Sequence, residues 1–494
     1  MSLTEWLQGM DIRYEVTQGT VDQEVSEVVY DSRKVTAGCV FVCIRGTKMD
    51  SHDFIPDVIA AGARVLVVEQ KAAVPEDITV ITVPCSRTAL AYLAAARFGR
   101  PARQMTMIGI TGTKGKTTTA HMIKAMLETA GKKTGMIGTV GVVIGDRTYK
   151  TVNTTPESYD LHRYFAEMTA ADCECCVMEV SSQALKMHRV AGIDFDFGLF
   201  TNISPDHIGP DEHVDFAEYL DCKKQLFRHC GQALINMDDE HAAEITDDIP
   251  CPFDGYGINA KARYQAGAVH YVSEPDFVGI EFTYSAGTDE LIRVSLPGKF
   301  NVYNALSALA VGSSMGLPIE QMRHALLQLR VDGRMEIVHT SARCCVIVDY
   351  AHNAVSMESL LETLRDYNTK RLVCVFGCGG NRSKDRRYSM GEIAGRMADF
   401  SIITADNSRF EKVSDIIADI RGSVEAAGGT YIEIPDRREA IAYSIRNARE
   451  GDMIAIIGKG HEDYQEIEGV RYPFLDRTVV QEVVAEMRKE QLKP

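Results

Sequence analysis

The sequence predicts an α/β protein of several domains, with a phosphate-binding loop in its middle and a doubly wound parallel sheet at its C-terminal end. Three observations carry this. Residues 107–119 read MIGITGTKGKTTT: an apolar run, Met105 to Ile110, enters a glycine-rich turn ending in Gly115-Lys116-Thr117, and a helical segment, Ala120 to Thr129, follows. Glycines let backbone N–H groups approach phosphate oxygens, lysine neutralises charge, threonine can ligate Mg²⁺, and the helix N-terminus adds a positive dipole. The loop spacing is GxxGxxGKT, with five residues rather than the usual four between Gly109 and Gly115. Toward the C-terminus the strand-like runs CCVIVDYA, RLVCVFGC, FSIITAD and DMIAIIGKG alternate with helical segments such as SMESLLETLRDY and RREAIAYSIRNA, the pattern of βαβ units. Finally, 494 residues exceed what one core holds, and roughly three domains follow.

Taken in order, residues 1–100 form a first domain of short elements: VSEVVYDSR, GCVFVCI, the helical FIPDVIAAGA and the strand RVLVVEQ. Arg100-Pro101-Ala102-Arg103 reads as a linker. The central domain, 101–330, holds the phosphate loop, strands CECCVMEV, DFDFGLFTNI and QALIN, and the helix FNVYNALSALAVGSSMG. Val331-Asp332-Gly333-Arg334 marks the next boundary, and 331–494 is the Rossmann-like domain. Many of the apolar strands end in reactive residues: Glu179-Val180-Ser181-Ser182, Asp206-His207, Asp349 with His352, Arg382, Asn407 with Arg409, and His461-Glu462. Ligands of open α/β sheets bind at such carboxyl ends. Two loaded edges facing one another across a cleft is the simplest expectation.

A net charge of -16 argues against a nucleic-acid scaffold while leaving room for a small phosphorylated ligand in a locally basic site. No run of eighteen apolar residues suggests a membrane span, and MSLTEWLQGMDIRYEV does not read as a signal peptide, so a cytoplasmic protein is expected. The thirteen cysteines sit mostly in apolar strands, among them Cys173, Cys175 and Cys176, and read as free core thiols rather than a metal site.

On residue type alone, Lys116, Thr117, Glu179 and His207 are candidates for phosphate and Mg²⁺, although Glu179 reads equally as an ordinary strand-end carboxylate. The chain as a whole resembles the Mur ligases, specifically the MurE class, UDP-N-acetylmuramoyl-L-alanyl-D-glutamate ligases that add the third stem residue of peptidoglycan. DSRKVTAGCVFVCIRG, GITGTKGKTTT, NTTPESYDL, MEVSSQAL, FTNISPDH, FNVYNALSALA, VDGRMEIV, DYAHNA and FGCGGNRSKDRR occur in the family's order. GKGHEDYQ, 458–465, is the motif most specific to the class.

The resemblance implies roles position by position. Ser32 and Arg33 would touch the uridine diphosphate; Asn153, Thr154, Thr155, Ser181 and Arg189 would hold the muramoyl-dipeptide. Gly112, Thr113, Lys114, Gly115, Lys116, Thr117 and Thr118 would bind ATP phosphates, and Asn304, Arg334 and Asp349 its adenine and ribose. Two Mg²⁺ sites would draw on Thr117, Glu179, His207 and a lysine carbamylated by CO₂. The family's K-x-x-L-F spacing selects Lys223 over Lys224 for that lysine. Lys116, Lys223, His207 and Glu179 would be catalytic.

The implied reaction is ATP-dependent amide-bond formation through an acyl phosphate, with UDP-N-acetylmuramoyl-dipeptide, ATP and a diamino acid as partners. Rival readings are an L-lysine-adding enzyme, a folylpolyglutamate synthetase and, outside ligases, a nucleotide switch. Arg382, Asp406, Asn407, Arg409, Gly458 and Glu462 would bind the amino acid. A guanidinium at Arg409 suits the distal carboxylate of meso-diaminopimelate, because Arg pairs carboxylates bidentately. Two departures stand out: Ala354 and Ser408 occupy positions where the family usually has proline, in DYAH-x-P and DNPR. Without proline φ is no longer fixed.

Overall fold

The computed structural model describes residues 2–491 except 47–48, 206–207, 210–211, 275–276 and 368. The chain forms two compact units. One comprises Met1–Gln265, Ser285–Gly287 and Tyr303–Ala325; the other comprises Ala266–Tyr284, Thr288–Val302 and Leu326–Pro494.

The first unit contains two sheets. The smaller runs Glu15–Gln18, Thr79–Thr82, Val65–Val68, Val40–Val42, Val28–Val29, parallel except at its first pairing. Its inner strands Val65–Val68 and Val40–Val42 are buried on both faces and apolar throughout, whereas the edge strand Glu15–Gln18 is polar and exposed. Val40, Val42, Val65 and Val67 pack with Trp6, Leu90 and Leu93, while Phe41, Cys43, Leu66 and Val68 pack with Ile55 and Val58.

The larger sheet centres on five parallel strands in the order Cys230–Asn236, Phe195–Phe200, Thr106–Thr111, Cys175–Glu179, Thr134–Gly138. Because all five run the same way, Gly112, Gly138, Glu179 and Thr201 emerge on one edge. Gly109 interrupts the middle strand because a Cβ there would lie 2.8 Å from the Phe195 ring and 3.0 Å from Leu226. Cys173, Cys175 and Cys176 are buried free thiols, Cys173 and Cys176 within the core that this sheet packs on, as their apolar setting predicts.

The second unit is built on a sheet ordered Glu336–Thr340, Cys344–Asp349, Asp452–Ile457, Arg371–Phe376, Phe400–Ile403, Tyr431–Glu433, parallel after the first antiparallel pair. It is doubly wound. Alternate residues of each strand enter two separate cores: Ile347, Cys374, Phe376 and Ile457 on one face, Val346, Val373, Val375 and Ile456 on the other. Helices Ala354–Arg365, Asp385–Met397 and Val413–Ala426 cover the first face; Arg437–Arg446 and Asp476–Gln491 cover the second. A hairpin, Tyr464–Ile467 with Val470–Pro473, follows the last parallel strand. Among the described residues no helix is long and apolar enough to cross a membrane.

Candidate active site

The phosphate loop leaves the central strand at Thr111 and enters helix Lys116–Thr129 through Gly115. Two glycines are obligatory. Gly112 has φ +147° and Gly115 has φ +87°, and a Cβ on either would strike a neighbouring side chain, Thr201 or Asn304. Segment 201–204 braces the loop from the next strand. Asn202 Oδ1 accepts from the Lys114 N–H at 2.9 Å, its Nδ2 donates to the Lys114 carbonyl at 2.9 Å, and Thr201 Oγ1 donates to that carbonyl at 2.8 Å. Lys116 Nζ curls over the loop and donates to the carbonyls of Gly112 (2.8 Å) and Thr113 (3.0 Å). Thr117 is half-buried in the first helical turn and Thr118 is buried. Asn304 is buried against Gly115, with Oδ1 accepting from Thr119 Oγ1 at 3.3 Å.

At the end of the adjacent strand Cys175–Glu179, Glu179 is buried, and Thr139 holds its carboxylate, the N–H donating at 2.9 Å and the hydroxyl at 3.2 Å. Thr155 Oγ1 donates to the Glu179 carbonyl at 2.9 Å and accepts from the Ser181 N–H at 3.1 Å. Arg189 Nη1 donates to the Thr155 carbonyl at 3.0 Å, and Thr154 meets Thr139 at 3.3 Å. Thr154, Thr155, Glu179, Ser181 and Arg189 therefore form one polar cluster. Arg189 and Arg87 each lie 3.6 Å from Glu157. Asn153 is exposed. Ser32 and Arg33 stand apart: Arg33 is exposed and chelated by Asp31 at 2.8 Å through Nε and Nη2. That hydrogen bond holds the Asp31 carboxyl below its usual range.

Lys223 is buried on helix Phe216–Lys224, whereas Lys224 is half-exposed. Its Nζ lies 4.3 Å from the Tyr219 ring centroid, and the Tyr219 hydroxyl is 2.9 Å from Thr113 Oγ1 in the phosphate loop. His207 lies outside the described residues. Among the described residues no three His, Cys, Asp or Glu side chains converge as a metal site.

In the second unit Asp349 closes its strand with both carboxylate oxygens occupied, accepting from the Met335 and Ala351 N–H groups at 2.7 Å each. Burial raises its carboxyl above the usual range. Arg334 stacks on Tyr350, with 5.0 Å to the ring centroid, and Tyr350 meets His461 at 5.2 Å. Burial, then Arg334, depresses the His461 pKa.

A second cluster gathers where strands Phe400–Ile403 and Asp452–Ile457 end. Asp406 and Asn407 are buried. Asn407 Nδ2 donates to Glu462 Oε2 at 2.9 Å, and Gly458 has φ +112°, with the position of an added Cβ only 2.6 Å from Asp406 Oδ2. Arg409, at φ +49°, donates from Nη1 to the Gly380 carbonyl at 2.7 Å and lies 3.7 Å from Glu466. Arg382 is exposed beside the same turn, its Cγ 3.9 Å from where a Gly379 Cβ would stand. The missing proline at 408 does not leave Arg409 loose: its N–H donates to the Glu466 carbonyl and its carbonyl accepts from Glu468, a bridge to the hairpin. Asn353 replaces the conformational restraint lost at Ala354 by capping the following helix, its Oδ1 accepting from the Ser356 N–H at 2.9 Å.

Comparison with known proteins supplies the name for this arrangement. Residues 24–101 match the Mur ligase family catalytic domain, 110–312 the Mur ligase middle domain and 333–460 the Mur ligase glutamate ligase domain. A UDP-N-acetylmuramoyl-L-alanyl-D-glutamate--2,6-diaminopimelate ligase of Clostridium perfringens is 39% identical over 98% of this chain and 99% of its own. The chain belongs to the Mur ligase family. A Geobacillus thermodenitrificans ligase of the same name is 41% identical over 93% of this chain and 94% of its own. A solved structure of a protein so named covers 96% of this chain and 97% of its own, with a TM-score of 0.75 and 28% identity. Mur ligases are ATP-dependent ligases of three domains, the last Rossmann-like, and the sheets described above are those of that fold.

Several residues of this Mur ligase that carry the site were not singled out from sequence. Thr201 and Asn202 brace the phosphate loop, Thr139 holds Glu179, Tyr219 ties Lys223 to the loop, and Lys459 sits between Asn407 and Glu462. Thr201 and Asn202 had a visible signal, polar residues directly after a buried strand. Thr139 and Tyr219 had none, because their partners are 40 and 106 residues away.

Proposed function

We propose that this chain ligates meso-2,6-diaminopimelate to the D-glutamate of UDP-N-acetylmuramoyl-L-alanyl-D-glutamate with ATP, in the cytoplasmic stage of peptidoglycan synthesis. The observation that carries the amino-acid assignment is the convergence of Asp406, Asn407, Arg409, Gly458 and Glu462. A cation, an amide and carboxylates in one place suit a ligand end that bears both an ammonium and a carboxylate. The names of the full-length relatives agree with it. Domain boundaries near residues 101 and 331 belong to this reading.

The substrate carboxylate attacks the γ-phosphorus of ATP, releasing ADP and forming an acyl phosphate. The amine of the amino acid then attacks the acyl carbon, a proton leaves the nitrogen, and inorganic phosphate departs. Backbone N–H groups of Gly112 to Thr118 and Lys116 hold the phosphates, with Asn304, Arg334 and Asp349 toward the nucleoside. Ser32, Arg33, Asn153, Thr154, Thr155, Ser181 and Arg189 hold the UDP-muramoyl-dipeptide. Thr117, Glu179, His207 and a carbamate on Lys223 would supply oxygen and nitrogen ligands to Mg²⁺, which when bound neutralises charge on the transferring phosphoryl group. Of the two adjacent lysines only Lys223 is buried, which supports it rather than Lys224 as the carbamylated one. Arg409 would pair the distal carboxylate, Glu462 the distal ammonium, and Arg382 the remainder.

The deciding assay is phosphate release from ATP with UDP-muramoyl-dipeptide and, in parallel, meso-diaminopimelate, L-lysine or L-ornithine. Turnover that needs both the dipeptide and diaminopimelate is expected. Preference for lysine overturns the amino-acid assignment, and hydrolysis indifferent to both substrates overturns the ligase reading.

A further inference from the structure

Lys459 stands between Gly458 and the His461-Glu462 pair, and its side chain is completely buried. Its ammonium is 3.2 Å from Asn407 Oδ1 and 3.2 Å from Glu462 Oε2, and 5.3 Å from the Tyr464 ring centroid. A strongly hydrated ammonium enters a protein interior only where polar partners replace the lost water. Both of its hydrogen-bond partners belong to the group assigned to the incoming amino acid.

The bonding pattern fixes two orientations at once. Asn407 Oδ1 accepts from Lys459 Nζ and from the Glu466 N–H at 2.9 Å, so the amide can turn only its Nδ2 toward Glu462. Glu462 Oε2 then accepts from both Asn407 Nδ2 and Lys459 Nζ. With Oε2 saturated by internal donors, Oε1 is the oxygen left for a ligand ammonium. Without the lysine, the Asn407 amide keeps only one of the two donors that set its flip, the Glu466 N–H, and Glu462 keeps a single donor.

We propose that Lys459 is a positioning residue for amino-acid selection, acting through Asn407 and Glu462 rather than by touching the reacting atoms; this rests on the ligase reading above. Losing one charge-assisted hydrogen-bond partner predicts a rise in the KM for diaminopimelate of about 10- to 100-fold. The KM values for ATP and UDP-muramoyl-dipeptide should stay within about twofold, because those substrates are held by other segments.

The test is steady-state kinetics on the full chain for wild type, Lys459→Met, Glu462→Gln and the double variant. The expected result is a selective rise in the KM for diaminopimelate in Lys459→Met, with the double variant's penalty smaller than the product of the two single penalties, since the lysine works in part through that carboxylate. Unchanged KM in Lys459→Met, a parallel rise in all three KM values, or penalties that multiply in the double variant would each overturn the proposal. If Lys459→Met does not fold, the double variant, which removes both charges, carries the comparison. Failure of that variant to fold as well makes Lys459 a folding element and also overturns it. Absence of diaminopimelate ligation by the wild type is a different result: it sinks the ligase reading itself.

Discussion

In the phosphate loop of the first unit, the groups that would meet a ligand are main-chain N–H groups, Lys116 and Thr117, all within the seven consecutive residues Gly112 to Thr118. In the amino-acid cluster of the second unit they come from three segments, 379–382, 406–409 and 458–466, and are already engaged by neighbours of the other polarity. Arg409 has Gly380 and Glu466; Glu462 has Lys459 and Asn407. Below that cluster Arg437 is fully buried, paired with Asp476 at 2.7 Å through two nitrogens, and it donates to the carbonyls of Ala405 and Ile457, the residues just before Asp406 and Gly458. The loop is held by backbone shape, the cluster by compensated charge. Substitution should therefore act mainly on chemistry in the first, and on chemistry and stability together in the second, where breaking a buried ion pair costs roughly 3–5 kcal/mol.

The largest effect expected is at Lys116. Lys116→Ala should lower phosphate release by about 100- to 1,000-fold or more, the scale of losing one charge-stabilising donor in a closed site. Stability should fall by no more than about 1–2 kcal/mol, since two hydrogen bonds to carbonyls are lost. Activity loss that came with global unfolding in a denaturant melt would erase the contrast with the second unit. Next comes the lysine pair. Lys223→Ala should be inactive and partly restored by a short carboxylic acid, while Lys224→Ala keeps turnover within about threefold, because only Lys223 is buried. The opposite pattern would move the assignment by one residue.

In the amino-acid cluster, Arg409→Ala should cut kcat/KM for meso-diaminopimelate by about 10- to 100-fold and leave L-lysine use much less affected. It should also lower the melting temperature, because Gly380 loses its donor and Glu466 its nearest cation. A purely kinetic effect would place this cluster in the same class as the phosphate loop.

Acid response offers a further contrast, one that needs no substrate. His162, on helix Ser158–Ala170 of the first unit, is buried in an apolar core, and burial depresses its pKa to about 3. The unfolded chain protonates near 6.5 while the folded one does not, so the unfolded state binds more protons as pH falls between those values and stability is lost toward acid. Between pH 7 and pH 5 this one group costs about 2 kcal/mol. Denaturant melts of His162→Leu at both pH values should show that difference removed; an unchanged slope would mean that the acid sensitivity lies elsewhere.

The difference between the two sites also explains what was legible in the sequence. The phosphate loop is contiguous, its glycines and lysine adjoin, and the flanking strand and helix could be read from one window. The doubly wound sheet was equally legible, because strands buried on both faces are unbroken apolar runs such as Cys344–Val348. The three strands Tyr264–Glu274, Phe277–Ser285 and Asp289–Val294 escaped notice because they mix exposed and buried positions and carry no long apolar run. Contacts such as Tyr219 to Thr113, or Lys459 to Asn407, are made by the fold across 106 and 52 residues, and no local pattern announces them.

The smallest effect expected is at Ser408, where the resemblance called for proline. The absence of a fixed φ could have redirected Arg409, yet the Arg409 backbone is held from both sides, its N–H by Glu466 and its carbonyl by Glu468. The hairpin thus supplies the restraint that proline supplies elsewhere. Ser408→Pro should then change the KM for diaminopimelate by less than about threefold. Its stability effect is that of fewer unfolded conformations, a gain of about 0.4–1 kcal/mol if the native φ accepts proline. Hairpin residues should matter more than residue 408 itself. Replacing Gly469, at φ +77° and with its Cβ position 3.1 Å from the Phe410 ring, by valine strains the hairpin turn and should raise the diaminopimelate KM more than Ser408→Pro does. If the proline variant instead improves the KM tenfold and the hairpin variant is silent, Arg409 is held by residue 408 after all, and the second site is built from local backbone like the first.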